Sequence, residues 1–256
     1  MLRLFKATTP SQRFLCLIEK RRLMAPMLSR LKIGSPKQAG RNVHGHITVR
    51  HQGGGFKQSY RAIDWFRNTL DIPAKVISIE YDPMRSSFIS LVYAANGIYC
   101  YVLASHLMNI GSTIINRSVP SLEHENGDTA FLKDLYVGAR ICAVESYPGG
   151  GAVYSRSAGT ASIILRKRDN KVVIRLPSGD QFTAHELCRA QIGQISNPEH
   201  RYINYGKAGR MRNLGVRPSV RGVAMNPVDH PHGGGEGKKS KKAWPRTPWG
   251  KQHHHP

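Results

Sequence analysis

Asp229-His230-Pro231-His232 sets a carboxylate and two imidazoles within four residues. Such groups can hold a divalent metal, or move protons near neutral pH. A metal site needs ligands converging from several elements, yet no cysteine lies near this run and no Cys-x-x-Cys occurs anywhere. Proton transfer needs a positioned substrate, which no neighbouring motif supplies. The sequence therefore assigns no metal ligands and no catalytic residues here. It favours hydrogen bonding by His230 and His232 to a polyanion such as RNA.

Cations close to these histidines support that reading. Arg217 and Arg221 precede the run 221–239, and Lys238, Lys239, Lys241 and Lys242 follow it. Gly233, Gly234, Gly235 and Gly237 bare the backbone, and Pro227 and Pro231 exclude a regular helix or strand. With little to bury, such a run is expected to order only on a partner. A second basic stretch, Lys207 to Arg217, carries Lys207, Arg210, Arg212 and Arg217 with no acidic residue between Glu199 and Asp229. This spacing suits a segment that follows a row of phosphates. A third cluster is Gly53-Gly54-Gly55-Phe56-Lys57, flanked by Arg50, His51 and Arg61. Its glycines allow close approach to phosphate or ribose, and Phe56 and Tyr60 could stack on bases.

Several enzyme signatures fail on single positions. A phosphate-binding loop ending at Gly237-Lys238 would need glycine at His232 and serine or threonine at Lys239. Gly149-x-Gly151 would need glycine at Tyr154 to bind a dinucleotide, and His185-Glu186 would need histidine at Arg189 to bind protease zinc.

The composition bounds the elements that position these residues. The 256 residues carry a formal net charge of +22, which predicts a nucleic acid or another anionic surface as partner. Residues 1–119 hold 17 Lys and Arg against 5 Asp and Glu, residues 120–200 hold 9 against 9, and residues 201–256 hold 12 against 2. A near-neutral module thus lies between basic flanks. Cys16, Cys100, Cys142 and Cys188 are widely spaced and read as reduced core residues. No run reaches the roughly 18 apolar residues of a membrane span. The Arg-rich start, Met1 to Arg30, fits either a mitochondrial targeting segment or a basic arm on nucleic acid.

Hydrophobic periodicity predicts a mostly β protein. Residues 1–37 form an N-terminal basic extension without sustained periodicity. Residues 38–118 hold about five short strands, expected at 46–51, 58–65, 74–81, 87–94 and 97–104, the last two joined through Asn96-Gly97. An OB-type barrel closes so few strands without open edges. Residues 119–200 hold a second set, with strands expected at 135–145, 158–166, 171–176 and 181–187, the size of an SH3-like barrel. Residues 201–256 dissolve into a Gly/Pro/Arg/Lys-rich tail.

Eight blocks then point to a family. The run Asn226-Pro-Val-Asp-His-Pro-His-Gly-Gly-Gly-Glu-Gly237 resembles the signature of the ribosomal protein L2 family. Gly40-Arg41-Asn42, Ile47 to Lys57, Glu80-Tyr81-Asp82-Pro83-x-Arg85-Ser86 and Arg156-Ser157-Ala158-Gly159-Thr160 resemble it too. So do Gly206-Lys207-Ala208-Gly209-Arg210, Gly215-Val216-Arg217-Pro218 and Thr247-Pro248-Trp249-Gly250. The likeness spans nearly the whole chain. It implies an OB-fold, an SH3-like barrel and an extended tail threading ribosomal RNA. It adds Arg41, Arg85, Arg156 and Asn226 to the rRNA-contact candidates, and Lys238 with them. The implied partners are large-subunit rRNA, neighbouring ribosomal proteins and the small subunit, with no membrane and no small-molecule substrate. No cofactor is expected on the protein alone, and Mg2+ is expected with the rRNA.

The implied role is structural and not enzymatic: subunit assembly and association, and support near the peptidyl transferase centre, with His230 as the supporting residue. Departures include Phe56 in place of the usual histidine, His46 in place of arginine, and 211–214 in place of a Trp-containing run. Segments 163–168, 175–179 and 195–200 look mitochondrial more than bacterial or plastid. The match begins near Lys6, which hints at synthesis inside the organelle. The competing classes are an RNA-processing or transferase enzyme using His230 and Asp229, and a free RNA chaperone built on the OB barrel.

Overall fold

The computed structural model describes residues 2–19, 23–24, 28–120, 125–236 and 244–252. The chain divides into two units, one built from Met1–Pro36 and Lys57–Gly206, the other from Lys37–Phe56 and Lys207–Pro256. The segment 37–56 thus groups with the C-terminal part of the chain and not with the barrel that follows it in sequence.

The first unit begins with a hairpin of β1 (Leu2–Leu4) and β2 (Cys16–Ile18), with β2 also bridged to Asn204. The basic extension expected over residues 1–37 thus contains paired strands. The three-residue strands are too short to show periodicity, so only pairing reveals them. β3 (Lys32–Gly34) pairs with β4 (Ser59–Arg61). β5 (Ala74–Glu80), β6 (Ile89–Ala94), β7 (Tyr99–Leu103) and β8 (Thr113–Ile114) make an antiparallel sheet of order β7-β6-β5-β8. Asn96-Gly97 turns the chain between β6 and β7, with Gly97 at φ 84° as the tight hairpin requires. A bulge between Val76 and Ser78 bends β5, and Ile63 bridges Tyr101 in parallel, so the sheet curls into the OB-type barrel.

The middle of β6 is buried on both faces, which explains its continuous apolar run. Ile89, Leu91, Tyr101 and Leu103 fill one side together with Ile63, Cys142 and Ile195. Val76, Val92, Val102 and Ile114 fill the other.

The second barrel contains β9 (Thr129–Phe131), β10 (Arg140–Cys142), β11 (Val144–Glu145), β12 (Ala152–Tyr154), β13 (Ser162–Arg168), β14 (Lys171–Arg175), β15 (Gln181–His185) and β16 (Arg189–Ile192). Its main sheet has the order β15-β14-β13-β10-β16-β9, and β11 pairs with β12. Leu132, Leu135, Ile141, Val144, Ile164, Val172 and Ile174 form its core. The fold is therefore mostly β, an OB-fold followed by an SH3-like barrel. Cys142 and Cys188 are fully buried core thiols, and all four cysteines are free. Burial pushes the Cys142 thiol up to about 12.

Polar groups join the two barrels inside this unit. The buried guanidinium of Arg67 donates from Nε to Asn116 Oδ1 at 2.8 Å and from Nη2 to the Gly127 carbonyl at 2.8 Å. Burial lowers its pKa. Arg189 of β16 reaches back to the Phe66 and Arg67 carbonyls at 3.2 and 3.0 Å. The Glu145 carboxylate accepts backbone N–H groups from Gly149, Gly151 and Arg189, which holds the glycine turn in place.

The second unit contains one short helix among its described residues, α1 (Ala208–Asn213), and a 3-10 turn at Gly222–Ala224. Residues 46–51, expected as a strand, form a loop. Arg41 bridges Ile47, and Asn42 Oδ1 accepts from the backbone N–H groups of His44 and His46, both at 3.0 Å. Every residue from 41 to 52 is exposed, so the alternation has no core to face.

Candidate nucleic-acid interface

In the second unit the triple glycine does what only glycine allows. Gly53 N–H donates to the Gly215 carbonyl at 2.9 Å, and Phe56 N–H donates to the Asn213 carbonyl at 2.9 Å. Arg217 N–H donates to the His51 carbonyl at 3.0 Å, and Gln52 bridges Val216. The two basic segments read separately from the sequence therefore lie side by side. A Cβ on Gly55 would sit 2.6 Å from the Asn213 carbonyl oxygen. A Cβ on Gly40 would sit 2.0 Å from the Val49 carbonyl oxygen. These glycines serve the backbone crossing itself, whereas Gly54 meets nothing and is exposed.

This pairing gathers Arg50, His51, Arg217, Lys207 just before α1, and the α1 residues Arg210 and Arg212 on neighbouring segments. Arg41, Arg50, His51, Lys207, Arg217 and Arg221 are exposed. Arg212 is partly buried, and its Nη1 is shut off from solvent with no hydrogen-bond partner. An unsatisfied guanidinium nitrogen is costly, and a phosphate oxygen could reach this one only if the side chain turned outward. Sequence reasoning missed Lys37, whose Nζ donates to the Gly54 and Phe56 carbonyls at 2.9 and 2.5 Å and so braces the glycine loop. It placed Trp249 only within the block Thr247-Pro248-Trp249-Gly250 and gave it no contact of its own, yet Trp249 is 80% exposed with the Arg50 guanidinium 5.6 Å from its ring centroid.

The histidine run is folded by its own backbone. Met225 N–H reaches Gly222, Asp229 N–H reaches the Asn226 carbonyl at 3.0 Å, and Gly234 N–H reaches the Met225 carbonyl at 3.0 Å. A Cβ on Gly233 would fall 2.2 Å from the Asn226 carbonyl oxygen, and one on Gly222 would meet the His230 ring at 2.5 Å. His230 is buried at 8% exposure, and its Nδ1 accepts the His232 N–H at 3.0 Å. His232 Nε2 in turn accepts the Arg246 N–H at 3.1 Å. The expectation of a run without internal order is thus corrected for its described part: backbone turns and imidazole acceptors replace the missing apolar core. Asn226 and Asp229 are exposed. Gly237 and Lys238 lie outside the described residues, as do Lys239, Lys241 and Lys242. The two rings stand 4.9 Å apart, and among the described residues no group of three His, Cys, Asp or Glu side chains converges as metal ligands would.

Four candidates belong to the first unit. Lys57 and Arg156 are exposed, and Arg156 stacks over Trp65 at 4.9 Å. Arg61 differs from its expected role. It is buried, and its Nη1 lies 3.2 Å from Asp82 Oδ1. Arg85 Nε lies 2.5 Å from Asp82 Oδ2 and its guanidinium leans over Trp65. One buried carboxylate thus pairs with both cations and leaves one net positive charge, and Arg61, the more buried of the two, shapes the loop rather than facing a ligand. The nearby Tyr101 hydroxyl donates to Glu80 at 3.0 Å, and burial together with that bond pushes Tyr101 up to about 12.

No helix among the described residues is long and apolar enough to cross a membrane. The family model described as Ribosomal Proteins L2, RNA binding N-terminal domain matches residues 28–116. The model described as Ribosomal Proteins L2, C-terminal domain matches residues 125–250. The first match covers the OB-fold, and the second covers the SH3-like barrel with most of the tail. Together they span most of the sequence, with exposed cations set on backbone made bare by glycine, and the chain belongs to the ribosomal protein L2 family, the structural, rRNA-binding proteins of the large ribosomal subunit.

Proposed function

We propose that this chain is an integral component of a mitochondrial large ribosomal subunit that binds its rRNA, supports assembly and subunit association, and buttresses the region near the peptidyl transferase centre. The observation that carries this reading is the second unit's pairing of 51–56 with 213–217. It sets Arg50, His51, Arg217 and the cations of α1 on adjoining backbone that side chains do not shield. Such a surface takes phosphate and ribose closely, with counterion release as the driving force. Lys57, Arg85 and Arg156 of the first unit add shape-dependent contacts to RNA helices. Mg2+ accompanies the rRNA and not the protein.

The histidine run acts by position in this reading. His230, buried and with its Nδ1 accepting the His232 N–H, holds the loop's shape in this role. The resemblance of segments 163–168, 175–179 and 195–200 supports the mitochondrial assignment.

Sedimentation of tagged protein from organelle lysate, at low and then high salt with magnesium present, tests the proposal. The expected result is co-migration with the large subunit through high salt. Release to the top of the gradient at moderate salt would remove the integral role, and absence from organelle ribosomes would remove the mitochondrial one.

A further inference from the structure

The sheet of the OB-fold carries a surface that none of the basic motifs includes. Lys75 on β5 pairs with Thr113 on β8 and with Tyr93 on β6, and Tyr93 pairs with Tyr99 on β7. Directly paired residues project from the same face of a sheet. Thr113, Lys75, Tyr93 and Tyr99 thus form one continuous row across all four strands, and all four are exposed. The tyrosine rings lie 4.7 Å apart between centroids with their planes 39° from parallel. Further along β6 and β7 the same face carries the buried Leu91 and Tyr101, which cluster with Cys142 and Ile195 of the second barrel, so the row is the solvent-exposed end of this strand face.

Two paired aromatic rings at 38% and 46% exposure, beside an ammonium and a hydroxyl, suit a flat, apolar and anionic ligand. An unpaired nucleotide has that combination: a base to stack, a phosphate for Lys75 and a ribose hydroxyl for Thr113. An apolar protein patch would find little beyond Ile98 to bury here, and the chain's charge of +22 repels most basic neighbours. We propose that the Thr113–Lys75–Tyr93–Tyr99 row is a stacking platform for an unpaired base of RNA, separate from the glycine-rich basic segments. This rests on the reading of the chain as an rRNA-binding protein.

The test compares purified full-length protein binding to a single-stranded 12-mer oligouridine and to an abasic ribose-phosphate chain of the same length. Stacking predicts that wild type prefers the base-bearing chain by roughly tenfold. Tyr93→Ala with Tyr99→Ala should erase that preference while leaving abasic binding unchanged, and the double Phe variant should keep it. Lys75→Ala should weaken both ligands and reduce the salt slope by about one. An unchanged preference in the alanine variant, with its thermal transition intact, would overturn the platform. So would a wild type that binds both chains equally, or an alanine variant whose sole defect is loss of a neighbouring ribosomal protein from the isolated subunit. Failure of wild type to bind either chain, even at low salt, would instead overturn the RNA-binding reading beneath it.

Discussion

At the scale of single residues, the candidate interface depends on atoms that are missing. Gly233 leaves no room for a Cβ against the Asn226 carbonyl oxygen at 2.2 Å. Gly233→Ala should therefore force the 225–234 turn apart, at a cost of about 1–3 kcal/mol. Hydrogen exchange should then rise at the Asp229 and Gly234 amides, which donate inside this turn. Alanine at Gly45, where nothing lies within 4 Å, should cost only its positive φ, about 1 kcal/mol. Buried titratable groups give a second prediction. The Cys142 thiol is raised from 9.0 and the Tyr101 phenol from 10.0, each to about 12. Above about pH 9 for Cys142 and about pH 10 for Tyr101, and up to about 12, the unfolded chain releases these protons while the folded chain still holds them. The unfolded state binds fewer protons, so stability falls as pH rises through this window. Urea midpoints taken from pH 8 to 11 should decline, and Cys142→Ala should flatten part of the decline.

At the scale of elements, the β13–β14 hairpin was the most legible. Asp169 and Asn170 have φ of 46° and 60°, as a two-residue turn of the primed type demands. Asn170→Val would place a β-branched residue at positive φ and should destabilise the second barrel by about 1–2 kcal/mol. Thermal melting with Asn170→Gly as the tolerated control checks this. β9 and β16 were not legible. Thr129–Phe131 is three residues long, and Arg189–Ile192 has its two middle residues buried with no alternation. Their signal lies in mutual pairing across more than fifty residues, which periodicity cannot see. The strand expected at 46–51 failed for the opposite reason: it alternates but has no core to pack against.

At the scale of the whole molecule, the first unit has its own cores, and the second is held mostly by backbone hydrogen bonds and glycine packing. A chain ending at Gly206 should keep a cooperative thermal transition close to that of the full protein. It should also lose several of the phosphate contacts, so the slope of log affinity for rRNA fragments against log salt should become shallower by several units. Calorimetry and salt-dependent binding on the two lengths read these effects separately. Loss of the transition on truncation would show that the barrels need the tail.

The sequence by itself determined the β class, the two barrels, the partner's charge and the family. Each is written in local features: periodicity of two, turn dipeptides, net charge and an ordered set of motifs. Tertiary structure alone decided which cations face outward. Arg61 and Arg50 are the same residue type in equally basic surroundings, yet Arg61 is closed over by Asp82 while Arg50 stands exposed beside Trp249. It also decided that Gly53–Gly55 lies against Asn213–Gly215, and that Lys75, Tyr93 and Tyr99 share a row. These facts arise from pairing between residues distant in the chain, and burial set by that pairing determines whether a charge is neutralised inside or left free for a ligand.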